Sequence, residues 1–391
     1  MLDVDALLRP YFDRLVDDVG GLELYDAHTH IGANDPDGFT QTPAQLLTAL
    51  GGAGARGVVF PMHEPDGYRE ANDFVIEAAA ASDGVVVPYC RVDPRDDALA
   101  EATRALDAGA RGIKLHPRAE RFGLDEPGVR DVVALAHERR LPVLIHAGRG
   151  IPALGQHTVA LSGEFPDAKL ILAHGAISDL AWLWKVMPEH PNLFVDTAWW
   201  NPADLMALFC LAPPAQILWA SDSPYGLPVM SAVVALRCAL QAGLPPEAVR
   251  SIAGGQMERL LGGEPGADAG PAPQRVTALD PHLERVVTHL VSAMGRAFAR
   301  ADPDEPIALA RLAAAVGEDA RCAPVCAAVL ELLDLYEEHK HEPPTDGRPL
   351  PPAGRFVVTA LAVARTPDVS LPELPDYPPP TRAEAERFGA A

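Results

Sequence analysis

The sequence predicts an α/β fold, a (β/α)8 TIM barrel followed by a C-terminal helical module and a Pro-rich tail. Three observations predict it. Short, almost wholly apolar runs alternate with amphipathic stretches, the signature of parallel strands buried on both faces. Eight such units fall between residues 22 and 243, which matches a closed barrel better than an open sheet. Polar residues recur at the ends of these runs, where this fold gathers its sites.

The apolar runs are Leu22–Tyr25, Gly57–Phe60, Val85–Tyr89, Gly112–Leu115, Pro142–Ile145, Leu170–Ala173, Leu193–Val195 and Gln216–Ala220. Between them, Pro43–Leu50, Arg69–Ala81, Leu99–Ala108, Val129–Arg139, Asp179–Val186 and Ala203–Phe209 read as helices, and Val229–Ala242 follows the eighth run. This organisation assigns 1–262 to the barrel and 263–275, GEPGADAGPAPQR, to a linker. Residues 276–345 read as a helical module, with helices at Pro281–Arg300, Ile307–Val316 and Ala323–Glu338. With 11 prolines between His341 and Pro380, residues 346–391 read as a Pro-rich tail that is extended apart from the apolar segment Phe356–Ala364.

Composition narrows the function classes. A formal net charge of −22 over 391 residues repels nucleic acid and anionic membrane, so neither is expected as a partner. No stretch approaches the roughly 20 apolar residues of a bilayer span, and the acidic, amphipathic N-terminus is unlike a signal peptide. Five scattered cysteines, with Cys322 and Cys326 one helical turn apart as a packed pair, fit a reducing compartment. The expectation is a cytoplasmic protein acting on a small molecule. The appended helices offer a dimer contact, so a homo-oligomer is one expectation for its assembly.

The chemistry begins at Asp26-Ala-His28-Thr-His30, at the end of the first run. Alternate residues of a strand share a face, so His28 and His30 point together into the barrel, about 7 Å apart along the strand, and can converge on one ion. Polar groups stand at the same place in later units: Lys114 and His116 after the fourth run, His146 after the fifth, His174 after the sixth and Asp222 after the eighth. Each would be expensive to bury without a partner, and packing alone does not account for five at equivalent positions. His63 and Arg91 follow the second and third runs and could line the mouth or lie in solvated loops. Arg149 is placed to grip an anion or to pair at the rim. Trp199, Trp200 and Tyr225 follow the seventh and eighth runs and are read as an apolar pocket wall. Asp26 is read as structural, and the second HxH pair, His339 and His341, as solvent-exposed.

The pattern of a strand-end HxH, a lysine on the fourth strand, histidines on the fifth and sixth and an aspartate on the eighth resembles the amidohydrolase superfamily. The wording DAHTHIG, CRVDP, GIKLHP, LIHAG, LAHGA and ASDSPYG is similar to its amidohydrolase-related, decarboxylase-like branch, and SIAGGQMERLL (251–261) to that domain's terminal helix, where an asparagine often stands instead of Gln256. The resemblance covers residues 22–262. It implies metal ligation by His28, His30, His146 and Asp222, with His174 either a ligand of a second ion or the holder of the attacking water. Asp222 would accept a proton from that water. Carboxylated Lys114 would bridge two ions; unmodified, it would be a cation near the mouth. The implied cofactor is zinc, one or two ions, with manganese or iron as alternatives.

Three readings of function follow. The first is hydrolysis of a C–N or C–O bond (amide, lactone or ester) by metal-activated water, with His174 and Asp222 handling protons and His116, Arg149, His63, Trp199 and Tyr225 binding substrate. The second is a lyase, a decarboxylase or hydratase of small unsaturated acids on a one-metal site. The third is a non-catalytic scaffold that uses the helical module.

Overall fold

The computed structural model describes residues 2–373 except 265, 276–277, 345–346 and 350. Strands β1 (Leu24–Ile31), β2 (Ala55–Pro61), β3 (Val86–Pro88), β4 (Cys90–Arg91), β5 (Ile113–Leu115), β6 (Pro142–Ile145), β7 (Lys169–Leu172), β8 (Leu193–Asp196) and β9 (Ile217–Leu218) pair in sequence order, all parallel. β3 and β4 are two halves of one barrel stave. The chain switches partners at Tyr89, whose N–H donates to Val59 O at 2.8 Å, while Cys90 N–H donates to Gly112 O at 3.0 Å. Gly112 must be small here, since a Cβ would lie 2.6 Å from the Tyr89 ring. The ring closes from the end of β9 onto β1 through Ala27 N–H to Trp219 O at 3.1 Å, Asp222 N–H to His28 O at 2.9 Å and His30 N–H to Ser223 O at 2.8 Å.

Side-chain alternation divides each stave between two cores. Val58, Phe60, Leu144, Ile171, Phe194 and Leu218 fill the lumen, and Val59, Val143, Ile145, Leu170, Val195 and Ile217 face the helices. By this parity residues 114, 116, 146, 196 and 222 turn inward. Two positions need help. A register shift between Asp26 and Thr29 rephases β1 after Tyr25 and Ala27, bringing His28 and His30 inward. His174 follows inward-facing Ala173 and reaches the lumen through a left-handed backbone, φ 58°.

The outer layer comprises α1 (Val4–Val19), α2 (Pro43–Ala53), α3 (Arg69–Ala80), α4 (Ala98–Asp107), the short α5 (Pro117–Glu120), α6 (Pro127–Arg139), α7 (Leu154–Glu164), α8 (Leu180–Val186), α9 (Pro202–Leu211), α10 (Pro228–Ala242), α11 (Pro246–Arg250) and α12 (Gln256–Leu261). Local signals place their ends. Helix α2 starts in a capping box: Gln45 N–H donates to Thr42 Oγ1 at 3.3 Å, Thr42 N–H donates to Gln45 Oε1 at 2.8 Å, and Pro43 takes the first position. No helix among the described residues is long and apolar enough to cross a membrane. All five cysteines are buried and unpaired.

Beyond the barrel lie α13 (Pro281–Phe298), α14 (Asp304–Ala314), α15 (Ala323–His339) and α16 (Gly354–Arg365). The apolar segment Phe356–Ala364, set apart from the extended reading of 346–391, lies in helix α16 and is buried throughout. Its prolines lie before and after it, so they delimit the helix, and an apolar run this long has no stable state except packed. The remainder of the predicted tail, 374–391, lies outside the described residues. Helix α16 packs on α13, α15 and the barrel helix α10. Buried Arg237 of α10 fastens the contact: its Nε–H donates to Thr366 Oγ1 at 3.0 Å, and its Nη atoms donate to the carbonyls of Ser370 (2.8 Å), Thr366 (3.1 Å) and Val369 (3.3 Å). Arg237→Met is expected to lower unfolding stability by at least about 2 kcal/mol, because buried carbonyls lose charge-assisted donors. Urea denaturation measures it, and an unchanged midpoint would contradict this role.

Candidate metal centre

At the C-terminal mouth of the barrel, the Nε2 atoms of His28 and His30 stand 3.2 Å apart, and each lies 3.1 Å from Asp222 Oδ1. Their protonation follows from the surroundings. His28 Nδ1 lies 2.8 Å from Asp196 Oδ2 and donates to it, so His28 Nε2 carries a lone pair. A carboxylate oxygen and an imidazole lone pair at 3.1 Å repel unless something positive lies between them. The ligating atoms of His28, His30 and Asp222 all fall within 4.8 Å of one another, the compass of a single ion.

Two further histidines continue the cluster. His174 donates from Nδ1 to Ala198 O at 2.8 Å, which leaves its Nε2 lone pair 2.9 Å from His146 Nδ1. His146 Nε2 is buried and has no partner among the described residues. Lys114 reaches in from β5, with Nζ 3.4 Å from His28 Nε2 and 4.7 Å from the centroid of the Phe60 ring. Burial, then repulsion from Arg91, holds the Lys114 amine at about 7. Burial and neighbouring cations also push His28, His30 and His146 well below the usual imidazole range. Burial pushes Asp222 well above the carboxylate range, and Lys114 counters part of that. Neutral imidazoles are the form that binds a cation, and a divalent ion would restore the charge that burial removes. The donor set fits one.

Backbone strain marks the same residues. His174 at φ 58° and Asp222 at φ 61° occupy the left-handed region that favours glycine. Asp196 Oδ1 braces the first turn by accepting from His174 N–H at 2.8 Å and Ala198 N–H at 3.0 Å. Asp26 Oδ1 braces the second, accepting from Ser221 N–H at 2.9 Å and His28 N–H at 3.1 Å.

A model of the amidohydrolase family matches residues 25–263, the stretch that carries this entire cluster. The chain belongs to the amidohydrolase family. No curated protein matches it significantly. Among solved structures, an uncharacterised TIM-barrel protein from Bordetella bronchiseptica superposes with a TM-score of 0.50 at 20% identity, covering 62% of this chain and 99% of that one. The 5-carboxyvanillate decarboxylase of Sphingomonas paucimobilis gives 0.48 at 17% identity, covering 62% and 99%. The 2,6-dihydroxybenzoate decarboxylase of Rhizobium gives 0.49 at 15% identity, covering 62% and 98%. At these identities the likeness is one of fold.

Within the amidohydrolase domain the remaining candidates separate. His116 stacks on His146 at 3.9 Å, and its Nδ1 accepts from Ala119 N–H at 3.2 Å as the cap of α5. Tyr225 presents its ring edge to His30 at 5.4 Å and donates its hydroxyl to Asp35 Oδ2 at 2.5 Å. Trp199 lies 6.4 Å from His174. His63 stands away from the cluster, on the wall of a cavity of about 1290 Å³ framed by the loops after β1, β2 and β4. Arg149 is exposed on the loop after β6. His339 is half-buried against Phe356 rather than exposed, His341 is exposed, and neither is near the cluster. Arg91 is neither in a solvated loop nor free at the mouth: it is 2% exposed and paired with Glu120, Nη2 to Oε1 at 2.5 Å.

Sequence reasoning missed Asp196 and Glu120. Asp196 was findable, since it follows the seventh apolar run just as His146 follows the fifth. Glu120 carried no such signal, because it ends the short helix α5, which the pattern of runs leaves undefined.

Proposed function

We propose that this amidohydrolase is a metal-dependent hydrolase that cleaves a C–N or C–O bond, of an amide, lactone or ester, in a small molecule. The observation that carries the reading is the convergence of His28 Nε2, His30 Nε2 and Asp222 Oδ1 within 4.8 Å. Zinc suits two imidazoles and a carboxylate, and manganese or iron would serve in its place. A divalent ion in such a site lowers the pKa of bound water towards about 7 and polarises the bond to be broken.

The protein's residues do the rest. Asp222 commits Oδ1 to the cluster and leaves Oδ2, 3.9 Å from His174 Nδ1, to take up a proton. His174, fixed through Nδ1 on Ala198 O, offers its Nε2 lone pair to a water. His116 and Tyr225 flank the cluster as substrate contacts.

The test is a panel of lactones, esters and amides offered to zinc-loaded protein, with acid release recorded beside carbon dioxide release from unsaturated carboxylic acids. Acid release alone supports the hydrolase. One observation favours the lyase alternative: the ligating atoms of His28, His30 and Asp222 gather within the compass of a single ion. Lys114→Ala separates the two, read as metal per chain by elemental analysis. Two ions falling to one indicate a carboxylated, bridging Lys114; one ion unchanged indicates the one-metal site that a lyase can use. A protein that takes up no metal would return the scaffold reading.

A further inference from the structure

The family match ends at residue 263, so it assigns nothing to α13–α16. Yet these helices and the segment between α15 and α16 touch the mouth of the barrel from two sides. Phe298, the last residue of α13, is 46% exposed, and its ring rests on Trp200, with centroids 5.0 Å apart and planes at 57°. Trp200 packs on Trp199 at 6.2 Å, and Trp199 stands 6.4 Å from His174, its Nε1–H donating to Asp204 Oδ2 at 2.7 Å. An appended residue thus ends a line of three aromatic rings that begins at the metal centre.

On the other side, Thr40 N–H donates to Gly347 O at 2.7 Å. Gly347 has φ 72°, and a Cβ there would overlap both the hydroxyl and the carbonyl of Thr40. Thr40 belongs to the loop between β1 and α2. That loop sets Phe39 on Tyr225 at 4.5 Å, Asp35 on the Tyr225 hydroxyl, and Gln41 Nε2–H on His30 O at 2.7 Å. Both loops that the module touches carry groups packed directly on the cluster.

We infer that the appended module is a buttress of the active-site mouth: Phe298 positions the Trp199–Trp200 wall beside His174, and Gly347 pins the 32–42 loop over His30. Both are positioning residues, since neither touches the cluster itself. An aromatic pair contributes about 1 kcal/mol, so losing one frees a local loop while the globally cooperative barrel remains folded. The consequence for substrate, which rests on the hydrolase reading, is weaker binding with little change in chemistry.

Hydrogen exchange on the full chain tests the buttress without any substrate. In Phe298→Ala, exchange at the Trp199 and Leu205 amides should rise several-fold, as expected from losing one such pair, while the 32–42 loop and the β6–β7 ladder stay as in wild type. Phe298→Tyr should restore the wild-type pattern. Gly347→Ala should raise exchange at Thr40 and Gln41 and leave Trp199 alone. No change at these amides, or an equal rise along β6 and β7, overturns the inference. On any ester or lactone that the panel finds, Phe298→Ala should raise KM several-fold with kcat nearly unchanged, and a fall in kcat alone would overturn it. If no substrate in the panel reacts, the hydrolase reading fails, whereas the exchange experiment still decides the buttress.

Discussion

His28→Ala should empty the metal centre. Purified with added zinc and dialysed, the variant is expected to retain less than about a tenth of the metal held by wild type, measured by elemental analysis, and to lose turnover of any substrate. The size of the effect follows from the geometry. His28 Nε2 lies 3.2 Å from His30 Nε2, 3.1 Å from Asp222 Oδ1 and 3.4 Å from Lys114 Nζ, so it is the atom through which the cluster is connected. Removing it leaves two ligands where a stable site needs three or four. It also frees Asp196 Oδ2 from its imidazole, adding a buried carboxylate oxygen to a pocket already poor in donors. Wild-type metal content in the variant would show that the ion sits elsewhere and would end the hydrolase reading.

Asp196→Asn should weaken metal binding about 10- to 100-fold, the usual effect of losing a carboxylate behind a ligating imidazole, while the barrel remains folded. An amide can still accept from His174 N–H and Ala198 N–H through its oxygen. Its NH2 group then faces His28 Nδ1, where a carboxylate oxygen stood at 2.8 Å, and two donors cannot share that contact. His28 must either rotate or carry its proton on Nε2, the atom that should bind the ion. Competition with a chelator reads the affinity and thermal melting reads the fold. Loss of affinity with a preserved melt assigns Asp196 to holding the tautomer. Unchanged affinity would show that the imidazole is oriented by other contacts.

Much of the fold was legible because burial writes a period into the chain. Runs such as Pro142–Ile145 and Leu193–Val195 are apolar throughout, since the lumen takes one parity and the helices the other. Lys114, His116, His146 and Asp222 were legible for the same reason, as polar groups interrupting that pattern at equivalent strand ends. Phe356–Ala364 was legible as an apolar break in the Pro-rich tail, but the prolines around it left its helical state undefined. Nothing local announced the surface of α10, with Arg237, that receives this helix.

What the sequence by itself determined is the strand and helix order and the kinds of residue presented at the mouth, because both follow from local periodicity and the price of burying charge. What only the tertiary structure decided is how those residues face and what state they are in. His28 and His30 turn inward because pairing shifts register after Asp26, and His174 because its backbone turns left-handed against Asp196. The approach of Phe298 to Trp200 and of Gly347 to Thr40 joins positions that are distant in the chain and unrelated in pattern. Such contacts depend on how whole elements pack, which no window of neighbouring residues encodes.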